Sequence, residues 1–272
     1  MDSPYILKET EDYAVVFKPP KMHCTGNFAT SKPAVSKIES EKESGKIEEE
    51  TLHEWFAQKC PSVFDIMHRL DFETQGLVLF AKNEKSYSFF KAAQDRGEFI
   101  KEYSALCIPC LYVKSNEKLI EGFPEIDIKK YHEVNHPPFF VESYFRPFGP
   151  GRKQVRPVID DLKKHKEIAK DKGGFYKTEI IKIEEQKVLE LKVLELKVPN
   201  QYKFTVRIKR GFRHQIRCHL FWIGFPILND PIYSCLINTD EDKTKPLALR
   251  SHALIFPDLS CGKMMEYRLD SI

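Results

Sequence analysis

Met67-His68-Arg69-Leu70-Asp71-Phe72-Glu73-Thr74-Gln75-Gly76, running on into Leu77-Val78-Leu79-Phe80-Ala81-Lys82, is the stretch from which the rest of the chain can be read. Its second part, Gly76 to Lys82, has the length and apolar composition of a buried strand. Its first part places His68, Arg69 and Asp71 together directly before that strand. A guanidinium beside an aspartate favours the ionised carboxylate and lowers its pKa, which suits a nucleophile or a base. A surface ion pair steadying a turn is the plainer alternative.

The segments on either side predict the elements that would hold such a loop. Upstream, Glu11 to Met22 opens with the β-rich run Tyr13-Ala14-Val15-Val16-Phe17 and must stop at Lys18-Pro19-Pro20, because proline cannot donate to a ladder. Thr51-Leu52-His53-Glu54 reads as a capping box opening a short helix with Leu52 and Phe56 on one face. Between them, residues 27–50 are polar, rich in Ser, Lys and Glu, and lack aromatics after Phe28. They read as a mobile acidic insertion with too little apolar surface to offset the entropy of ordering. Downstream, Glu84 to Arg96 sets Ser86, Phe89, Phe90 and Ala93 on one side of a helix that Gly97 stops. Lys101 to Ile108 alternates as a strand, with Lys101, Tyr103 and Ala105 on one face.

Further on, 113–174 is rich in Pro, Gly and charge and reads as an extended, insertion-rich connection. Val188 to Lys197 is a tandem Val-Leu-Glu-Leu-Lys pair whose odd period flips the apolar phase, predicting a turn or bulge near Lys192. Tyr202, Phe204, Val206 and Ile208 alternate with Lys203, Thr205, Arg207 and Lys209, a half-exposed strand with a basic face. In Gly211-Phe212-Arg213-His214-Gln215-Ile216-Arg217-Cys218-His219-Leu220, helical spacing groups His214, Arg217, Cys218 and Phe221 opposite Ile216, Leu220 and Ile223. Gly224 and Pro226 end that helix. Its polar face predicts either a phosphate-lined cleft or plain solvent. Strands broken by two or three helices give an α+β class with a mostly antiparallel sheet.

Composition narrows the function classes. With 42% apolar and 12% aromatic residues over 272 positions, a packed core can form and wholesale disorder is excluded. The longest apolar run, Leu220 to Leu228, is too short for a bilayer, and the N-terminus lacks a secretory signal, so a soluble, cytoplasmic protein is expected. Seven scattered cysteines fit reduced thiols rather than a disulfide framework. The net charge of +3 conceals an uneven distribution: Ser36 to Glu50 carries six Glu and three Lys, leaving +6 on the remainder. Lys203, Arg207, Lys209, Arg210, Arg213 and Arg217 occur without an intervening acid, and Arg146, Arg152, Lys153 and Arg156 form a second cluster. Both are compatible with a polyanionic partner.

Taken together, these stretches resemble the RluA-type pseudouridine synthase family. Val15-Val16-Phe17-Lys18-Pro19-Pro20 resembles its opening lysine-proline motif, and His68-Arg69-Leu70-Asp71 with Thr74-Gln75-Gly76-Leu77 its catalytic loop. Lys101 and Tyr103 resemble its Lys-x-Tyr strand. His214-Gln215-Ile216-Arg217-x-His219-Leu220, continuing from Gly224 to Tyr233, resembles its last long motif, and Leu249 to Ala253 with Phe256-Pro257 its C-terminal strand. Five motifs in the family's order make the likeness specific. It implies one catalytic domain over 1–272, built on a bent, mostly antiparallel mixed sheet with a few flanking helices and a central RNA-binding cleft. It further implies isomerisation of uridine in ribosomal or transfer RNA to pseudouridine, without metal or organic cofactor, membrane or obligate protein partner.

The resemblance also assigns residues. Asp71 becomes the catalytic aspartate, attacking sugar or base, with Arg217 pairing to it and Tyr103 lying against the extracted base. Arg69 fills the space the base leaves, and His68, Lys101, Arg210, Arg213 and His214 join it as RNA-binding residues. The chain departs from the family at Phe212, where arginine is usual, at Phe72, where lysine is common, and at Gln75, where serine is usual. Three rivals remain. A metal enzyme would use Cys107-x-x-Cys110, although no second Cys-x-x-Cys accompanies it and a half-buried thiol is the simpler expectation. A nuclease would use His68 and His214 as acid and base. An RNA-binding or ribosome assembly factor would keep the fold and lose catalysis.

Overall fold

The structure is a computed structural model that describes residues 3–26, 50–109, 121–126, 131, 137–159, 175–186, 200–234 and 245–269. In chain order the elements are β1 (Tyr5–Glu9), β2 (Tyr13–Lys18), α1 (Leu52–Lys59), β3 (Asp65–Ile66), β4 (Gln75–Ala81), α2 (Glu84–Asp95), β5 (Ile100–Cys107), β6 (Phe139–Phe148), β7 (Gln154–Val158), β8 (Tyr176–Gln186), β9 (Gln201–Ile208), α3 (Gln215–Trp222), β10 (Leu249–Pro257) and β11 (Met264–Arg268). This is the expected α+β class. The chain divides into two compact units, Met1–Phe99 with Ser251–Ile272, and Ile100–Arg250. Among the described residues no helix is long and apolar enough to cross a membrane.

In the first unit, β2 is wholly buried and pairs antiparallel with β1 on one side and β4 on the other, from Tyr13 opposite Ala81 to Lys18 opposite Gly76. β2 ends where Pro19 and Pro20 stop donation, as expected. β3 adds to the end of β4, and β10 pairs with β11 from Ala253–Arg268 to Pro257–Met264. The core beneath holds Val15, Phe17, Leu77, Leu79, Phe90, Phe99, Leu254 and Phe256. Each such side chain contributes about 1.5–3 kcal/mol on burial. Both helices start at complete capping boxes. Thr51 and Glu54 cap α1 reciprocally, and Asn83 and Ser86 do the same for α2. The buried residues of α2 are Ser86, Phe90 and Ala93, three of the four expected.

The second unit is an antiparallel run in the order β5-β9-β8-β6-β7. Lys101 lies opposite Ile208 and Tyr103 opposite Val206. β9 buries Phe204, Val206 and Ile208 and leaves the intervening positions half-exposed, matching its alternation. β6 serves two partners in succession: residues 139–143 pair with β8 and 144–148 with β7. The stretch 113–174, expected as connection, therefore also carries two strands. Aromatics on both faces of β6 and a proline at 147 hide its period. The acidic segment (bar Glu50), the tandem repeat at 188–197 and Cys110 lie outside the described residues.

Candidate active site

The Asp71 loop is fastened through the backbone of Met67, Leu70, Asp71, Phe72 and Thr74. The Thr74 N–H donates to the Asp71 carbonyl at 3.0 Å, closing a tight turn. The Phe72 carbonyl accepts the Lys21 N–H at 2.9 Å and Lys18 Nζ at 3.2 Å. Lys18 is fully buried and its ammonium also donates to the Pro19 and Met22 carbonyls, at 2.9 and 2.8 Å. Burial pushes its pKa down to about 8, against the pull of Cys24, Asp71 and Glu73. Cys24 Sγ accepts the Leu70 N–H at 3.2 Å and faces the Leu70 carbonyl at 3.5 Å. Gln94 Nε2 reaches the Met67 carbonyl at 2.9 Å.

On this braced loop Arg69 is exposed and Asp71 half-buried. His68, expected to bind RNA, accepts the Leu79 N–H through Nε2 at 3.3 Å, which requires that nitrogen to be unprotonated. It ties the loop to β4. Gly76, at the start of β4, has φ +127°, and a Cβ there would come within 2.2 Å of the Ser251 carbonyl oxygen. Only glycine lets β10 approach so closely.

In the second unit, Lys101 and Tyr103 are both buried, as an ordinary core strand would have them. Helix α3 departs from its amphipathic reading: every residue from Gln215 to Trp222 is buried. The expected polar face meets protein instead of solvent, with Arg217 on Asp230, Cys218 near Val155 and His214 near Tyr233. His219 sits between Ser143 of β6, at 2.9 Å from Nε2, and Thr178 of β8, at 2.8 Å from Nδ1, and burial pushes its pKa down to about 3. Gln215 donates to the Lys177 carbonyl and to Thr178 Oγ1, both at 3.0 Å, and accepts the Phe212 N–H at 2.9 Å. Cys218 Sγ lies 3.6 Å from the Val155 carbonyl, and burial raises its pKa.

Arg217 is 2% exposed and forks onto Asp230, itself fully buried, with bonds of 2.8 Å from Nε and 2.7 Å from the terminal nitrogen. Asp230 also accepts the Ile232 and Tyr233 N–H groups at 2.9 and 3.0 Å, so both of its carboxylate oxygens are hydrogen-bonded. Tyr233 completes the cluster: its hydroxyl accepts the Val155 N–H at 2.9 Å and lies 3.3 Å from His214 Nδ1. Asp230 lies within the Gly224 to Tyr233 stretch, where sequence alone assigns it no role. A buried arginine on a helix requires such a carboxylate, and that requirement was the available signal.

Much of the basic surface expected for RNA serves the fold. Arg207 pairs with buried Glu102 of β5 at 2.7 Å. Arg210 lies over the Tyr176 ring at 4.4 Å, and Arg213 bonds the Arg152 and Gln154 carbonyls. In the second cluster Arg156 is buried, stacked on Phe123 and Phe148, and bonded to the Glu121 carbonyl at 2.9 Å. Arg146 reaches the Gly122 carbonyl at 3.4 Å. Phe212, in place of the family's arginine, stacks on Phe145 at 5.1 Å and 8° and packs against Tyr176. Cys107 is fully buried with its pKa raised well above the ordinary range, as for a core thiol. No group of three or more His, Cys, Asp or Glu suited to a metal occurs among the described residues.

The antiparallel α+β architecture thus carries a braced aspartate loop and a helix with a buried arginine paired to Asp230. The RNA pseudouridylate synthase family matches residues 12–222, and the chain belongs to it. It is 27% identical over 172 residues to the ribosomal large subunit pseudouridine synthase D of Buchnera aphidicola, covering 62% of this chain and 38% of that protein. It is 26% identical to an uncharacterized protein of Caenorhabditis elegans, over 85% of this chain and 39% of that one. The chain thus spans about two fifths of the length of these relatives. Among solved structures, human RNA pseudouridylate synthase domain containing 1 shares the fold with a TM-score of 0.60 at 16% identity, over 99% of this chain and 84% of that one. Human RNA pseudouridylate synthase domain containing 4 follows with a TM-score of 0.56 at 16% identity, over 97% and 87%.

Proposed function

We propose that this chain converts uridine in structured RNA, ribosomal or transfer, to pseudouridine, with Asp71 as the catalytic aspartate. The observation that carries the reading is that the family match spans 12–222, which takes in the Asp71 loop, the Lys101–Tyr103 strand and the Arg217 helix together. The reaction exchanges a glycosidic C–N bond for a C–C bond within one nucleotide, so it balances without a redox partner or group donor. Asp71 attacks the sugar or the base, and Arg217 serves as the catalytic arginine that the resemblance assigns, its guanidinium oriented by Asp230. Tyr103 lies against the extracted base and takes part in the final proton removal. Arg69, exposed on the same loop, fills the vacated stack. Lys101, Arg210, Arg213, His214 and His68 hold the RNA or the loops that meet it, and the enzyme works alone in the cytoplasm.

The test is release of tritium from RNA labelled at C5 of uridine, followed by mapping of the modified position. Wild-type protein is expected to release tritium, and Asp71→Asn to lower the rate by at least about a thousandfold. Release by the variant at the wild-type rate would favour an assembly factor of the same fold, and strand cleavage would point to the nuclease.

A further inference from the structure

The residue after Asp71 is a phenylalanine where a lysine is common in the family, and nothing in the first unit's core accounts for it. Phe72 is only half-buried and stands outside the core cluster. Its ring packs against the ring of His23, with centroids 4.6 Å apart and planes at 38°. His23 is exposed. Both rings rest on backbones tied into one assembly. The Phe72 carbonyl is held by Lys18 and Lys21, and the His23 carbonyl accepts the Leu52 N–H at 2.9 Å. The neighbouring Cys24 grips Leu70 through its sulfur. The aromatic pair is therefore fixed in relation to Asp71 and still presents ring surface to solvent.

We propose that His23 and Phe72 form a stacking platform for an unpaired base adjoining the uridine that Asp71 attacks. The proposal rests on Asp71 being the catalytic residue. RNA recognition outside helices relies on bases laid against Phe, Tyr, Trp or His rings, with cations tracking the backbone. Exposed Lys21 and Arg69 stand on the two segments that carry the rings, and so supply the cations. Asp71 and Glu73 on the same loop repel phosphate, which favours a base over the backbone at this spot. A lysine at position 72 would grip a phosphate instead, so the substitution changes what is read beside the target from charge to ring surface.

The probe is a short, dye-labelled single-stranded RNA with one uridine between adenosines, alongside twins in which the 5′ or the 3′ neighbour is abasic. Binding is read by fluorescence anisotropy for wild type, His23→Ala, Phe72→Leu and Phe72→Tyr. His23→Ala and Phe72→Leu are expected to bind the adenosine-flanked RNA roughly 5- to 30-fold more weakly, and Phe72→Tyr to bind as wild type does. On one abasic twin, wild type should lose the same factor and the two variants should lose nothing further. Equal weakening on all RNAs, or none, would reduce the pair to loop packing and overturn the proposal. His23→Ala alters an exposed side chain, so it carries the test even if Phe72→Leu loosens the loop. Asp71→Asn should show the same preference for a flanking base while losing tritium release. Turnover by Asp71→Asn would defeat the functional reading and leave the binding result standing.

Discussion

Gly76 has φ +127°, and Ser251 is both a close backbone neighbour and a donor through Oγ to the Leu77 carbonyl at 3.3 Å. A methyl group there would collide with backbone on a neighbouring strand and also hold an L-residue where it is strained. Gly76→Ala is expected to cost about 3 kcal/mol or more in urea unfolding, and a change within 0.5 kcal/mol would show that the strands separate easily. None of this could be read locally. The glycine appears in sequence as the start of an apolar run, and its constraint comes from a residue far along the chain. The same holds for Lys18. The Lys-Pro-Pro run announces a strand end, yet the ammonium's three carbonyl partners, one of them on the Asp71 loop, are visible only after folding.

Among the elements, the capped helices and the apolar runs of β2 and β4 were legible, whereas the surroundings of α3 were not. Thr51 and Glu54 mark the start of α1 because the capping bonds lie within one turn. Helix α3 defeats a periodicity argument because strands, the 225–233 loop and the 121–126 segment cover it on all sides. Ser143, Thr178, Phe225 and Phe123 all meet it or its neighbours. Its buried histidine has a consequence in acid. His219 stays neutral in the folded chain down to about pH 3, whereas an unfolded histidine takes a proton near pH 6.5. Stability present above that point is progressively lost as pH falls from about 6.5 toward 3, because only the unfolded state gains the proton. The thermal midpoint should fall through this window, and His219→Gln should give a shallower acid limb. Identical slopes in the two proteins would assign the loss to other groups.

For the whole molecule, net charge is a poor guide to available charge. The sequence reads +3 with two basic stretches, but Arg207, Arg156 and Arg146 are engaged with Glu102, Glu121 and Gly122. Exposed cations include Lys21, Arg69, Lys153 and Lys209. Against them stands the acidic segment at 36–50. Replacing Glu39, Glu41, Glu43, Glu48 and Glu49 by Gln is expected to tighten RNA binding at low salt. The gain should vanish as the Debye length falls from about 10 Å at 0.1 M to about 3 Å at 1 M. Unchanged affinity at low salt would show that the segment's charge is not felt by the RNA. The antiparallel α+β class was readable from strand alternation and helix spacing, and the residues of the Asp71 loop because they repeat a family pattern in order. The division of cations between fold and surface was not, since it depends on which carbonyls and carboxylates the strands bring together.

The sulfur that grips Leu70 gives the loop a clock. Cys24 is buried, its thiol pKa raised by burial, and its lone pairs face the backbone immediately before Asp71. An alkylating reagent can reach it only in the moments when residues 70–72 lift away from 18–24. Under such reagents the peptide carrying Cys24 records how often the loop opens, while exposed Cys261 reacts at once and serves as the internal standard for dose.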